Sequence, residues 1–333
     1  MISKDFMYSM LLNGHSGSML DTLNDLSDLV KYIRENGKKV ASRQREAMWR
    51  DKKRDELVSR LYGDAANKVT FNPLDMSITK IVNEAYDLLV HNILEVELVR
   101  GDSPTVFSKY IFGIRRIYGV EYFVRILSAL GKETLERSTW FNGGYRNKEV
   151  VSKRQSLSHL LMMCVPNDED NADSLRTCLS GTDIDDKRLV EAALYSPEWM
   201  DIVGEYLGWN GFTSGCYYFM AHMNETFDDK RTALIAKYTP ISIDDLNAGA
   251  FDLNWFREVY KTLGEDHFEL LYQAAKYISD GAKHTRARKY ADAVNGKLDS
   301  SKTKKEIEAK RNKDLLMAYA LIPLKKNEDT KLL

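Results

Sequence analysis

Proline and glycine are scarce in this chain. Six Pro and nineteen Gly in 333 residues are too few for a sheet protein with many turns, and they fit long helices. Cysteine is scarcer still. Cys164, Cys178 and Cys216 form no CxxC pair, which argues against a disulfide framework and for a reducing compartment. No run reaches the roughly eighteen apolar residues of a membrane span. The N-terminal MISKDFMYSML has no signal-peptide core or cleavage site. The expected location is therefore the cytoplasm, with no membrane partner. An excess of one charge is lacking as well. The net charge of −1 averages over strongly segregated segments.

What is present is apolar bulk at helical spacing. Hydrophobic residues make up 44%, with eighteen Tyr, twelve Phe and five Trp to fill a core. Periodicity predicts helices over 20–36, 40–62 and 78–99. Ser103-Pro104 has the form of a helix start for a segment ended by Gly119, and a second helix ends at Gly131. Further helices are expected near 148–164, 186–195, 197–207, 212–223, 228–238, 253–263, 265–279, 282–294 and 301–321. The turn-rich WFNGGYRN at Trp140–Asn147 marks a boundary between 1–140 and 141–333. No alternating strand pattern stands out, so the fold class is all-α.

Two stretches match at a fixed offset of 56 residues, Ala192–Phe212 and Ala248–Phe268. Ala192/Ala248, Trp199/Trp255, Val203/Val259, Leu207/Leu263, Gly208/Gly264 and Phe212/Phe268 are identical pairs. Trp, Val and Leu at four-residue steps share one helix face. Gly then ends the helix, and Phe opens the next. The unit reads as a helix–Gly–helix hairpin, and Tyr110, Ile114, Tyr118, Gly119 and Phe123 have the spacing of a degenerate third copy. Such self-similarity points to a helical-hairpin repeat, an α-solenoid of HEAT or armadillo type or an α-α superhelix. Trp199, Gly208, Phe212, Trp255, Gly264 and Phe268 are its structural anchors.

Catalytic signatures fail one by one. GHSGS at Gly14–Ser18 has Ser18 where a nucleophile elbow needs Gly. DEDNAD at Asp168–Asp173 has Asp173 where a calcium loop needs Gly, and reads as a solvated acidic loop with helix caps at Asp183 or Asp185. The six histidines make no HExxH pair and no Cys/His cluster. His222, beside Cys216 and four residues from Tyr218, reads as a buried core histidine. No enzyme, no metal and no cofactor is expected. The most functional-looking feature is basic. Between Gly281 and Lys313 eleven Lys or Arg face four acids, and Lys38–Arg60 holds nine bases against four. The candidate binding face is Lys283, His284, Arg286, Arg288 and Lys289.

The segments YLGWNGFTSGCYYFMAHM, GAFDLNWFREVYKTLG and YISDGAKHTRARKYADAVNGKL, with KRNKDLLMAYALIPL, resemble parts of large bacterial proteins with domains of unknown function 5724 and 4132. Some of those relatives bear the name molybdate-metabolism regulator. The resemblance implies an intracellular bacterial protein of which this chain is one helical section, and it brings no catalytic residues. Together these features predict a non-catalytic helical-repeat module. Its partner would be a protein or other domains of the same polypeptide, held in a groove walled by aromatics such as Tyr217 or Tyr218. The alternative is nucleic-acid binding through the basic face at 281–313.

Overall fold

The computed structural model describes residues 76–137, 152–223, 229–279 and 281–323. The GHSGS segment, the basic run Lys38–Arg60, the helices expected over 20–36 and 40–62 and the WFNGGYRN turn lie outside them. In chain order the described elements are α1 (Met76–Glu97), β1 (Ile117–Tyr118), α2 (Val120–Leu130), α3 (Lys153–Met163), β2 (Cys164–Val165) and α4 (Ala172–Leu179). Then come α5 (Asp186–Tyr195), α6 (Met200–Leu207), α7 (Phe212–Met223), α8 (Asp229–Ile235) and α9 (Ile243–Ala248). The last are α10 (Leu253–Ala275), α11 (Ala282–Val294), α12 (Ser300–Ala309) and α13 (Lys313–Leu321). The chain is mostly helical, as its sequence predicts, and each strand is two residues long.

The chain divides into two compact units. One takes 1–118 and 146–164, the other 119–145 and 165–333. The passages between them fall at three places, where the sequence suggested a single cut after residue 140.

In the first unit the helix expected up to Gly119 is not formed. A short 3-10 helix, Ser108–Gly113, gives way to extended backbone at Ile114. Tertiary partners replace the helical hydrogen bonds there. The Tyr86 hydroxyl donates to the Arg116 carbonyl and accepts from the Arg115 and Arg116 amides. His159 Nε2 donates to the Ile114 carbonyl at 3.1 Å. Ser103-Pro104 opens no helix either. Nearby, Ser108 instead bonds the buried Glu97, which is ion-paired with Arg100 at 3.3 Å. The third copy of the hairpin therefore does not exist. Tyr110 lies in the 3-10 turn, Tyr118 in β1, and Gly119 precedes α2 rather than following a helix.

The second unit holds the matched pair. Trp199 is 0% exposed and Trp255 2%, and Val203, Val259, Phe212 and Phe268 are buried with them. Trp199 stacks on Phe123 with ring centroids 4.3 Å apart. Phe268 packs against Phe219 and Phe256. Gly208 ends α6 in the left-handed region at φ 65°, ψ 24°. Gly264 breaks α10 at φ 76°, ψ 169°. So the two copies share their buried anchors but differ at the glycine, a turn between two helices in one and a kink within α10 in the other. Their first residues also part company, since Ala192 is buried in α5 and Ala248 is exposed at the end of α9.

Two short helices went unread in the sequence. The acidic loop contains α4, whose Asn171 side chain accepts from the Asp173 and Ser174 amides while the Asn171 amide donates to the Ser174 hydroxyl. Ala172, Leu175 and Leu179 are its buried face. α9 is six residues long, capped by Ser242. The long helix expected over 301–321 is two, α12 and α13, because Asn312 adopts extended backbone and caps α13.

Replacing Trp199 or Trp255 with Ala should cost about 3–5 kcal/mol each, seen as a lowered urea midpoint. Gly264→Ala should cost more than Gly208→Ala. Both glycines have open space around their Cα, so strain alone decides. The region near φ 76°, ψ 169° is essentially reserved for glycine, whereas the left-handed region costs other residues only about 1–2 kcal/mol.

Candidate functional site

The structure gives four of the five residues of the basic face an internal task. α9 is short, and its last carbonyls need donors from outside the helix. Arg286 donates to the carbonyls of Leu246 at 3.3 Å and Asn247 at 2.9 Å. Lys313 donates to the Ala248 carbonyl at 2.8 Å, and the Tyr290 hydroxyl to that of Gly249 at 3.2 Å. Lys283 reaches the Asn247 side chain at 3.0 Å. Three cations thus gather at the negative end of a helix dipole, where positive charge is stabilised. His284 Nε2 donates to the Tyr272 carbonyl at 2.7 Å and its ring stacks on that of Tyr272. Arg288 lies over the same tyrosine, 3.9 Å from the ring centroid, and pairs with Glu269 at 2.6 Å. That pairing, opposed by desolvation, holds the Glu269 carboxyl below its ordinary range. Lys289 makes no ion pair among the described residues.

The other residues picked out from the sequence are likewise engaged in packing. His222 is buried, with Nδ1 2.8 Å from the Tyr218 carbonyl, and its ring lies 4.4 Å from that of Tyr218. Burial drives its pKa down to about 4. Cys216 is fully buried, and burial raises its thiol well above the usual range. Tyr218 belongs to the core rather than to a groove wall; it is 1% exposed. In DEDNAD, Asp170 accepts from the Val120 and Asn167 amides and Asp173 pairs with Arg176. Asp185 caps α5. No group of three potential metal ligands forms among the described residues.

Two surface features of the second unit assemble from residues far apart in sequence. The first is an aromatic stack. Tyr238, which follows α8, lies parallel to Trp255 of α10 at 5.7 Å. Tyr217 of α7 lies against Tyr238 at 6.1 Å. Tyr238 is 39% exposed and Tyr217 half-buried. Burial raises both hydroxyls, with Asp201 adding to each, Glu198 to Tyr217 and Glu258 to Tyr238. Glu198 is held by Arg231 at 2.9 Å. Arg231 acts on Tyr217 in the opposite sense, so the stack has Asp201, Glu258 and the Arg231–Glu198 pair around it.

The second feature is a cavity of about 700 Å³ bordered by the end of α2, the α4–α5 loop, the first turns of α5 and the end of α10. Arg188 closes its floor. Its guanidinium donates to the carbonyls of Gly131 at 3.1 Å and Glu133 at 2.6 Å, and to Glu191 at 3.1 Å. Leu127, Ile184 and Tyr277 give an apolar wall, and Lys132, Lys187 and Lys276 stand around it. No local sequence pattern announces either feature, because each draws on at least three separated stretches.

The model of a family of unknown function, DUF5724, matches residues 5–333. The chain belongs to that family. No curated protein and no solved structure matches it. Among the described residues, no helix of this DUF5724 chain is long and apolar enough to cross a membrane.

Arg286→Ala should lower stability by about 1–3 kcal/mol, because the Asn247 carbonyl at a helix end loses its donor while that of Leu246 keeps the Gly249 amide. Lys289→Ala should change it by less than about 0.5 kcal/mol; urea unfolding of both variants makes the comparison. Acid should act through the buried histidines. Burial lowers His159 and His222 to about 4. Both rings are neutral in the folded chain at pH 7, and an unfolded chain binds their protons near 6.5. Stability is then fully present above about pH 6.5 and is lost as pH falls toward about 4, on the order of 3 kcal/mol for each ring. His222→Phe should make the fall in urea midpoint between those pH values shallower.

Proposed function

We propose that this chain is a non-catalytic helical interaction module that holds a protein segment carrying exposed Lys or Arg. The observation that carries this reading is the Tyr217–Tyr238 stack, seated on Trp255 and flanked by Asp201 and Glu258. Tyrosine in such a position supplies large contact area at low entropic cost, and it attracts cations through its ring face. The carboxylates nearby select for positive charge and speed encounter. The paired helix–Gly–helix units form the scaffold in this reading, in the manner of helical-hairpin repeats, and keep the stack rigid from beneath. Other domains of the same polypeptide are as suitable a partner as a separate protein. The free state of Cys164, Cys178 and Cys216 fits a reducing bacterial cytoplasm.

The nucleic-acid alternative loses most of its proposed face to internal work, since Lys283, Arg286 and Arg288 are spent on Asn247, the end of α9 and Glu269. The molybdate-regulator label of some relatives adds nothing to the reading, for it names no residue here.

Selection of a random peptide-display library on the full chain tests the proposal. Enriched peptides should carry Lys or Arg, and Tyr238→Ala or Asp201→Lys should weaken them at least about tenfold. Enriched peptides without basic residues, or binding untouched by both substitutions, would sink it.

A further inference from the structure

Three arginines of the second unit share one arrangement. Arg288 lies 3.9 Å from the centroid of the Tyr272 ring and bonds Glu269 at 2.6 Å. Arg125 lies 5.5 Å from that of Tyr122 and pairs with Glu121 at 3.6 Å. Arg176 lies 5.6 Å from that of Tyr206 and pairs with Asp173. In each case a tyrosine ring and a carboxylate hold the same guanidinium. Lysine is not used this way. Lys109 and Lys276 stand over the tyrosines that follow them in sequence, Tyr110 and Tyr277, and neither has a carboxylate partner among the described residues.

The tyrosine stack has the rings and the carboxylates of this arrangement without its arginine. Among the described residues no cation lies over Tyr217 or Tyr238. Asp201 accepts from the Thr213 hydroxyl at 3.1 Å, and Thr213 stands one turn before Tyr217 on the same face of α7. Glu258 stands one turn after Trp255 on α10, and Tyr238 lies on Trp255. Both carboxylates are exposed, and neither forms an ion pair among the described residues. Arg231, the cation that acts on Tyr217, is held by Glu198, and no cation acts on the Tyr238 hydroxyl although Lys237 precedes it. Centroid separations of 5.7 and 6.1 Å are those of offset rings, which leave part of each face uncovered.

We infer that the stack recognises arginine in preference to lysine: a guanidinium of the partner segment lies on the open part of the Tyr238 ring and bonds Asp201 or Glu258. This inference rests on the interaction reading and specifies the residue that the partner presents. A guanidinium is planar and weakly hydrated, with five donors, so it can stack on a ring and bond a carboxylate at once. An ammonium is a compact, strongly hydrated charge, and it gains less from a half-exposed ring.

The test is titration of the full chain at physiological salt with fluorescently labelled nona-arginine and nona-lysine, read by anisotropy. The two peptides carry the same charge, so the carboxylates alone attract them equally. Nona-arginine should bind at least about tenfold more tightly. Tyr238→Phe keeps the ring and should keep that preference, whereas Tyr238→Ala should bring the two affinities within about threefold. Asp201→Asn combined with Glu258→Gln, which leaves the rings in place, should weaken nona-arginine at least about tenfold. Near-equal binding of both peptides, weakened by Tyr238→Ala, would overturn the arginine preference and leave the interaction reading standing. Binding of neither peptide would overturn both. A preference that persists in Tyr238→Ala, shown to be folded by far-ultraviolet circular dichroism, or in the double variant, would also overturn the inference.

Discussion

Short helices have many ends, and every end exposes backbone carbonyls that must find a donor. Much of this chain is organised around that constraint. Where a helix or turn stops, a long side chain from elsewhere reaches the stranded oxygens. Arg286, Lys313 and Tyr290 do so for α9, and Arg188 does so for the backbone after α2. His284 serves Tyr272 near the end of α10, and His159 serves Ile114. Each bond is modest in net worth, but an unmet buried carbonyl costs more than a made bond returns. The cations and histidines are thus part of the fold before they are part of any surface.

That use explains what the sequence showed and what it hid. The Trp–Val–Leu–Gly–Phe spacing was legible because a helix face and a glycine stop are local, and the burial of Trp199, Trp255, Phe212 and Phe268 follows from it. The charge of 281–313 was equally legible, but not its direction. A run of Lys and Arg does not reveal that Arg286 points at a helix end forty residues earlier. α4 and α9 were missed because each is short and starts in an acidic, polar stretch that reads as a loop. The extended backbone after Gly113 was missed because its partners, Tyr86 and His159, come from other helices. The cavity and the tyrosine stack had no motif to find.

The second unit consequently presents two unlike surfaces. One is aromatic and acidic, built from α6, α7, α10 and the turn after α8. The other is a hollow between the ends of α2 and α10, lined by four cations and four carboxylates. Membership in a family of unknown function fixes neither chemistry. Both rest on side chains that the packing leaves over after the helix ends are met. A charged residue here is informative about partners only once its internal duties are subtracted.

Gly264 has a consequence for cooperativity. It interrupts the hydrogen-bond ladder of α10 and leaves Leu253–Leu263 and Glu265–Ala275, eleven residues each, on either side of the kink. Neither length sustains a helix alone in water, since nucleation is costly and about 12–15 residues are needed even for favourable sequences. Each half exists because of the aromatic it carries inward, Trp255 in one and Phe268 in the other. What resembles one long rod is two dependent pieces, each helical only while its own anchor stays docked.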